Sequence, residues 1–301
     1  MKRILLYIAT NFLVVIAISL VINLLGVKPY LSARGIDYQS LLVFCAIWGF
    51  AGSFISLQIS RWTAKRAMGV QLIDPKNPAN AFEGQIVEKV TNLCRQAGLR
   101  TLPEIGIYQS PEVNAFATGP SESRSLLAIS SGLLEAMDSD AIDGVLGHEI
   151  SHIVNGDMVT MTLLQGVVNT FVMFLSRIAV FALEQGMRGR DDERRGGGLG
   201  YFAHYKLISL FEGVLMFLSA PLIYAFSRRR ELRADAGSAR ISGRETMIHA
   251  LETLKLTTGL VDNREASVAA FKINGRAPGL LAKLFSSHPP LDERIKALRN
   301  I

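Results

Sequence analysis

The sequence predicts an α+β membrane protein, with four hydrophobic helices and a mainly helical, water-exposed part that contains a small β-sheet. Hydrophobic residues make up 49% of the 301 residues and charged residues only 19%, which is too apolar for an ordinary soluble protein. The apolar residues concentrate in four long runs, at residues 4–27, 41–59, 158–183 and 207–226. Between the second and third runs, a helical period is followed by short strand-like segments and turn residues.

The first two runs are expected to form a membrane hairpin within residues 1–60. Each is long enough, at about 1.5 Å per residue, to cross most of a hydrocarbon core of about 30 Å. The first run exceeds the apolar core of a signal peptide, so we expect it to be retained as an anchor. Basic residues precede the first run and follow the second, namely Lys2, Arg3, Arg61, Lys65 and Arg66. The positive-inside rule therefore places both ends of this hairpin in the cytoplasm.

The positions of the basic residues argue against a nucleic-acid-binding protein, and the cysteines argue against a disulfide-stabilised or CxxC metal-binding protein. The net charge of +6 comes largely from Lys and Arg beside apolar runs, which is typical of membrane flanks, so we expect no nucleic-acid partner. The two cysteines, Cys45 and Cys94, provide neither a disulfide framework nor a CxxC metal site, and both are interpreted as packing residues.

Residues 61–157 are predicted to form the first part of a water-exposed domain. The apolar period over residues 82–97 indicates a helix, and strand-like runs follow at 104–108, 114–119 and 126–130. Asp138 and Ser139 are suitable caps for a further helix, which is expected to end at Asn155 and Gly156.

The third and fourth runs are predicted to form a second membrane hairpin over residues 158–226, with a polar loop at 184–206. Residues 227–301 form the second part of the water-exposed domain, beginning with a helix that continues from the membrane to about residue 254. Arg177 and Glu212 are ionisable residues inside these runs, and antiparallel packing places them at similar depth. Because such residues are usually paired, we expect an ion pair between them.

The predicted helix that ends at Asn155 carries the pattern His148-Glu149-x-x-His152. Residues four apart lie on one face of a helix, so both imidazoles can bind one metal ion while Glu149 reaches a water on that ion. Catalytic zinc sites use three protein ligands and leave one position for water. The pattern therefore indicates a zinc hydrolase that needs a third ligand.

The third ligand is expected from the helix that follows the fourth run. The metzincin pattern fails, because Asn155 and Met158 stand where it requires Gly and His. Glu231 and Asp235 are four residues apart, so one carboxylate can bind zinc while the other accepts a ligand imidazole N–H. These residues reach the His148 side of the membrane only after an even number of crossings, and the third and fourth runs supply two. The arginines of the loop between them fit the positive-inside rule poorly, so the alternative is that both runs insert without fully crossing.

These motifs resemble the HtpX family of membrane metalloproteases, which shares a superfamily with the type I CAAX prenyl endopeptidase. The matching segments cover most of the chain: the paired N-terminal spans and residues 114–119, 148–157, 230–237 and 288–291. The resemblance implies a gluzincin-like catalytic domain with His148, His152 and Glu231 as Zn²⁺ ligands and Glu149 as general base. It also implies cleavage of damaged or misassembled membrane proteins on the cytoplasmic side.

Further roles follow from the same resemblance. It implies that Asn114, Ala115, Phe116 and Ala117 form an edge strand that binds an extended substrate by β-augmentation. It also implies that His288 stabilises the oxyanion. His204 and His249 have no acidic or histidine partner at a helpful spacing and are interpreted as surface or packing residues.

We therefore expect a zinc-dependent, multi-pass endopeptidase of the cell inner membrane, with membrane proteins as substrates and a role in quality control and the stress response. A prenyl-protein endopeptidase is an alternative, but four spans leave little wall for an enclosed lipid-facing chamber. An intramembrane protease would embed its motif in apolar sequence, whereas acidic residues flank this one on both sides. A non-catalytic, zinc-regulated scaffold would not need Glu149. The sequence does not indicate the oligomeric state.

Overall fold

A computed structural model of the chain describes residues 31–32, 35–187, 200–257 and 288–301. Three of the helices in this part are long and apolar enough to cross a membrane: α1 (Tyr38–Met68), α5 (Asp157–Met187) and α6 (Tyr201–Ile241). They contain the second, third and fourth apolar runs. The first run, residues 4–27, lies outside the described residues, so three of the four expected spans are seen.

The described chain is mostly helical, with a small mixed sheet. The other helices are α2 (Ala81–Gln96), α3 (Ser131–Ala136), α4 (Ser139–Val154), α7 (Arg244–Thr257) and α8 (Leu291–Arg299). The strands are β1 (Leu31–Ser32), β2 (Gly35–Ile36), β3 (Gln71–Ile73), β4 (Glu104–Tyr108), β5 (Ala115–Ser121) and β6 (Arg124–Ser130). The chain divides into two compact units, one of residues 1–56 and 162–223 and the other of residues 57–161 and 224–301.

In the first unit, small residues allow α1 and α5 to approach closely. A Cβ atom at Gly49 would lie 2.6 Å from Thr170 Oγ1, and a Cβ atom at Gly166 would lie 2.6 Å from the Phe50 ring. Asn169 Nδ2 donates to Ser53 Oγ across the same contact, at 3.4 Å. Close packing of this kind is the usual means of helix association in a bilayer, where lipid tails are as apolar as the helices.

The same unit contains the expected ion pair between α5 and α6. Arg177 Nη1 lies 2.8 Å from Glu212 Oε1 and also donates to the Met173 carbonyl oxygen. The Arg177 guanidinium stacks over the Phe44 ring of α1, 5.8 Å from its centroid. Arg177 therefore contacts side chains of both other helices of the unit that the structure describes.

Because Arg177 and Glu212 neutralise each other, Glu212→Ala is expected to destabilise the protein more than the double change with Arg177→Met. The single change leaves an uncompensated charge inside the hairpin. Thermal unfolding in detergent of the wild type, both single variants and the double variant measures the coupling. Glu88→Ala, which removes an exposed carboxylate from α2, provides a comparison. Single effects that simply add in the double variant would contradict the ion-pair account.

Two expected boundaries around the second hairpin were wrong. Both described ends of the predicted loop at residues 184–206 are helical, because α5 continues to Met187 and α6 begins at Tyr201. The helix expected to run to residue 254 ends at Ile241, and α7 starts at Arg244. Gly243 lies between them with φ of 106°, a conformation that residues other than glycine rarely adopt, so the chain turns there.

In the second unit, a four-stranded sheet packs against helices. The strand order is β3-β4-β6-β5, with β4 and β6 parallel and the two outer pairs antiparallel. Three of these strands were predicted, whereas β3 was not. Cys94, which was expected to be a packing residue, lies in the core, where burial raises the pKa of its thiol to about 12. Cys45 is also buried, in α1.

Candidate active site

The helix that carries the histidine motif is capped and enclosed as its sequence predicts. The Asp138 side chain accepts the Ala141 N–H at 2.9 Å, and α4 ends at Val154, before Asn155. Gly144 faces α7, where a Cβ atom would lie 2.7 Å from Ala250 Cβ. These contacts leave the motif residues no more than 7% exposed. The imidazoles and the carboxylate are therefore held in the protein interior rather than on a solvated helix face.

Three of the predicted site residues converge, since His148, His152 and Glu231 each offer a ligand atom within 4.8 Å of the others. The two Nε2 atoms are 3.1 Å apart, and each lies 3.4 Å from a Glu231 carboxylate oxygen. Zinc–ligand bonds of about 2.0–2.1 Å in a tetrahedron separate neighbouring ligand atoms by about 3.3 Å. Two imidazoles and one carboxylate at this spacing fit three of the four positions around a zinc ion.

Each ligand histidine is oriented by its own carboxylate. His148 Nδ1 lies 2.9 Å from Asp235 Oδ1, as expected for a carboxylate four residues after Glu231. His152 Nδ1 lies 2.6 Å from Asp157 Oδ2, and Asp157 is fully buried in the first turn of α5. The sequence analysis assigned no role to Asp157. Its position five residues after His152, just past the helix break at Gly156, was the available signal.

The same contacts change the protonation of the imidazoles. Burial alone lowers the pKa of His148, but hydrogen bonds with Asp235 and Glu231 outweigh it and raise the pKa to about 9. Burial likewise lowers the pKa of His152, and the contacts with Asp157 and Glu231 raise it above its ordinary value. Because the pKa of both imidazoles is raised, zinc and protons compete for the same two rings.

Glu149 faces the sheet and contacts the strand expected to bind substrate. Ala117 donates its backbone N–H to Glu149 Oε2 at 2.9 Å. Among the described residues β5 is an outer strand, paired with β6 on one side only. Since the Ala117 N–H points to Glu149 rather than to β6, Ala115 and Ala117 direct their backbone groups away from the sheet. The candidate general base thus lies beside the outer edge of this strand.

The side chains at the start of β5 point into the protein interior. Asn114 is 1% exposed and its Nδ2 donates to the Tyr108 hydroxyl at 3.0 Å. The Phe116 ring packs against the Tyr108 ring at a centroid distance of 5.7 Å. These two side chains therefore anchor the start of β5 in the interior. The side chains of Asn114 and Phe116 are therefore not available at the outer edge of β5.

His288 and Arg230 contact the candidate third ligand. His288 Nδ1 lies 2.8 Å from Glu231 Oε2, and Arg230 Nη2 lies 2.9 Å from Glu231 Oε1. The contact with His288 brings residues 288–301 to the candidate metal site. The family resemblance implies an oxyanion donor at this histidine.

The remaining two histidines, interpreted from the sequence as surface or packing residues, each pair with a carboxylate. His204 Nδ1 lies 2.6 Å from Glu184 Oε1, and His249 Nε2 lies 2.8 Å from Asp138 Oδ2. Both partners are distant in sequence, so spacing could not reveal them. His249 and Asp138 are largely exposed, and their contact lies at the N-terminal cap of α4.

Comparison with known proteins identifies the family. The model of peptidase family M48 matches residues 80–301, which include every residue of the site described above. The chain belongs to peptidase family M48. It is 51% identical to the protease HtpX homolog of Methylacidiphilum infernorum, over 100% of this chain and 99% of the relative. It is 49% identical to the protease HtpX homolog of Bacillus subtilis, over 99% and 98% of the two chains.

A solved structure shares the fold. The crystal structure of S. mikatae Ste24p superposes with a TM-score of 0.67 at 17% identity, covering 99% of this chain. This chain spans 64% of that one, and at 17% identity the likeness concerns the fold alone. The family and the apolar helices together identify a multi-pass membrane metallopeptidase of the HtpX type, with proteins as substrates. This conclusion confirms the resemblance found in the sequence.

Proposed function

We propose that this M48 peptidase uses zinc to cleave damaged or misassembled membrane proteins on the cytoplasmic side of the inner membrane, as part of membrane quality control under stress. The observation that supports this most is the position of Glu149. Its carboxylate lies beside two ligand histidines and accepts an N–H from an outer strand. A zinc-regulated scaffold would need the ligands but no carboxylate at this place.

In the proposed mechanism the chain's own residues bind the peptide and move a proton. His148, His152 and Glu231 hold the zinc ion, which supplies Lewis acidity toward a water and the scissile carbonyl. Glu149 takes a proton from the attacking water and returns it to the leaving amine. The Ala117 N–H keeps the Glu149 carboxylate turned toward β5. His288, oriented through Glu231, donates to the oxygen that gains negative charge.

The shape of β5 supports an extended, unfolded segment as the substrate. Regular pairing with β6 covers Ala115 to Thr118, and a register shift follows between Thr118 and Ser121. Gly119 has φ of 144° and Pro120 has no N–H, so the regular edge ends there. A peptide can add itself to this short edge only where a few of its residues are free of their own secondary structure. Misassembled membrane proteins expose such segments.

Turnover of an orphan membrane subunit tests this proposal. A subunit of a membrane complex, expressed without its partner, is expected to disappear faster with wild-type protein than with Glu149→Gln. Co-expression of the partner should remove the difference. The zinc chelator 1,10-phenanthroline should abolish cleavage by purified protein, and added zinc should restore it. Equal half-lives of the orphan subunit with both forms would contradict the proposed substrate class.

Cysteine labelling tests the cytoplasmic orientation. The two native cysteines are buried, so the wild type is expected to give little background. Asn77 is exposed in the second unit, and Asn77→Cys should react with a membrane-impermeant maleimide in inverted vesicles but not in intact spheroplasts. Labelling in spheroplasts would place the site on the opposite side of the membrane.

A further inference from the structure

A buried arginine in the C-terminal helix contacts Asp235, the carboxylate that orients His148. Arg294 of α8 is 1% exposed, although the sequence around it contains five charged residues among nine and resembles a solvated helix. Its Nε donates to Asp235 Oδ2 at 2.8 Å, and its Nη2 donates to Asp235 Oδ1 at 2.6 Å. A guanidinium fixes a carboxylate in this two-point geometry more firmly than a single contact can.

The same carboxylate oxygen also binds a candidate zinc ligand. His148 Nδ1 lies 2.9 Å from Asp235 Oδ1, the oxygen that accepts from Arg294 Nη2. Arg294 Nη2 is 3.3 Å from His148 Nδ1, and two donors that share one acceptor oxygen are expected at such a distance. When Nε2 of His148 faces the metal, its Nδ1 carries the proton and donates to Asp235. Arg294 thus holds the Asp235 carboxylate in place, and that carboxylate in turn orients the His148 imidazole.

The other ligand histidine has a similar but weaker arrangement. Asp157 receives His152 on Oδ2 and a single contact from Arg233 Nη2 on Oδ1 at 3.2 Å. The Arg233 side chain is 56% exposed, whereas that of Arg294 is 2% exposed. A solvated ion pair contributes little, but a buried one leaves an uncompensated charge when one partner is removed. The two histidines therefore depend unequally on their arginines.

We propose that Arg294 is a positioning residue for the metal site, holding Asp235 so that it orients His148, and thereby making zinc binding depend on the docking of α8. This inference rests on the proposed zinc site. Residues 288–301 then contribute to the site twice, through the contact of His288 with Glu231 and through Arg294. A chain in which α8 is displaced would keep all three ligands but would bind zinc more weakly than the intact protein.

Zinc affinity of full-length Arg294→Met in detergent tests the inference. Loss of a group that orients a metal ligand typically costs about 10- to 100-fold in metal affinity, and we expect a loss of at least about 10-fold. The cobalt(II) form should show a changed visible absorption spectrum, because that spectrum reports ligand geometry. Arg299→Met, which removes an exposed arginine from the same helix, should bind zinc like the wild type.

Arg294→Lys covers the case in which Arg294→Met does not fold. Lysine keeps the positive charge but not the two-point geometry, so an intermediate loss of zinc affinity is expected. Wild-type affinity in a folded Arg294→Met or Arg294→Lys protein would overturn the inference. If the zinc site itself is wrong, the wild type and Glu231→Ala will bind zinc equally, which separates that failure from this one.

Discussion

Glu149→Gln is expected to retain its zinc and lose nearly all peptidase activity. The glutamine oxygen can still accept the Ala117 N–H, so the side chain keeps its place while the base is lost. General acid–base catalysis typically contributes about 10²- to 10⁴-fold, and at least this fall in rate is expected. Casein cleavage and zinc content should be measured on the same purified samples.

A second Glu→Gln substitution distinguishes the loss of the general base from the loss of an unrelated carboxylate. Glu88 is exposed on α2, in the same unit as the site, and Glu88→Gln should leave both activity and zinc content unchanged. Wild-type cleavage by a folded, zinc-loaded Glu149→Gln protein would show that another group is the base. A loss of zinc in this variant would instead mean that Glu149 contributes to metal binding.

Glu231→Ala is expected to abolish stoichiometric zinc binding, because it leaves two imidazoles where catalytic sites use three protein ligands. Asp235→Ala should weaken zinc binding by about 10- to 100-fold without abolishing it, since it removes only the group that orients His148. Zinc titration against a competing chelator resolves the two effects. Glu245→Ala, which removes an exposed carboxylate from α7, is the control.

Equal zinc affinity in the wild type and Glu231→Ala would place the third ligand elsewhere. If Asp235→Ala lost zinc as completely as Glu231→Ala, the two carboxylates would have exchanged roles. The geometry argues against that exchange, because Asp235 faces Nδ1 of His148 while Glu231 faces both Nε2 atoms.

The elements that the sequence predicted best are those with local signals. The caps of α4 and the apolar period of α2 specify their ends within a residue or two, because capping and helical periodicity depend on neighbouring residues. The three-residue strand β3 has no such signal, since it exists through pairing with β4. Gly243 marks the break before α7, but the helical pattern that resumes directly after it conceals the break in the sequence.

The site residues likewise divide into those that local spacing predicts and those that depend on tertiary packing. His148, Glu149 and His152 follow from spacing on one helix, whereas the position of Glu231 beside them depends on the packing of α6. Arg294 could not be recognised, because only tertiary packing distinguishes a buried arginine from its solvated neighbours on α8. Residues that act through another side chain have no spacing rule of their own, and contacts between distant segments reveal them.

Anomalous diffraction at the zinc edge, from crystals of the Glu149→Gln protein, tests the central claim most directly. The account predicts one strong peak, about 2.0–2.2 Å from His148 Nε2, His152 Nε2 and a Glu231 carboxylate oxygen. Asp235 and Asp157 should remain on the Nδ1 atoms of the two histidines. A zinc peak bound to other residues, or one that Glu231 does not reach, would contradict the account.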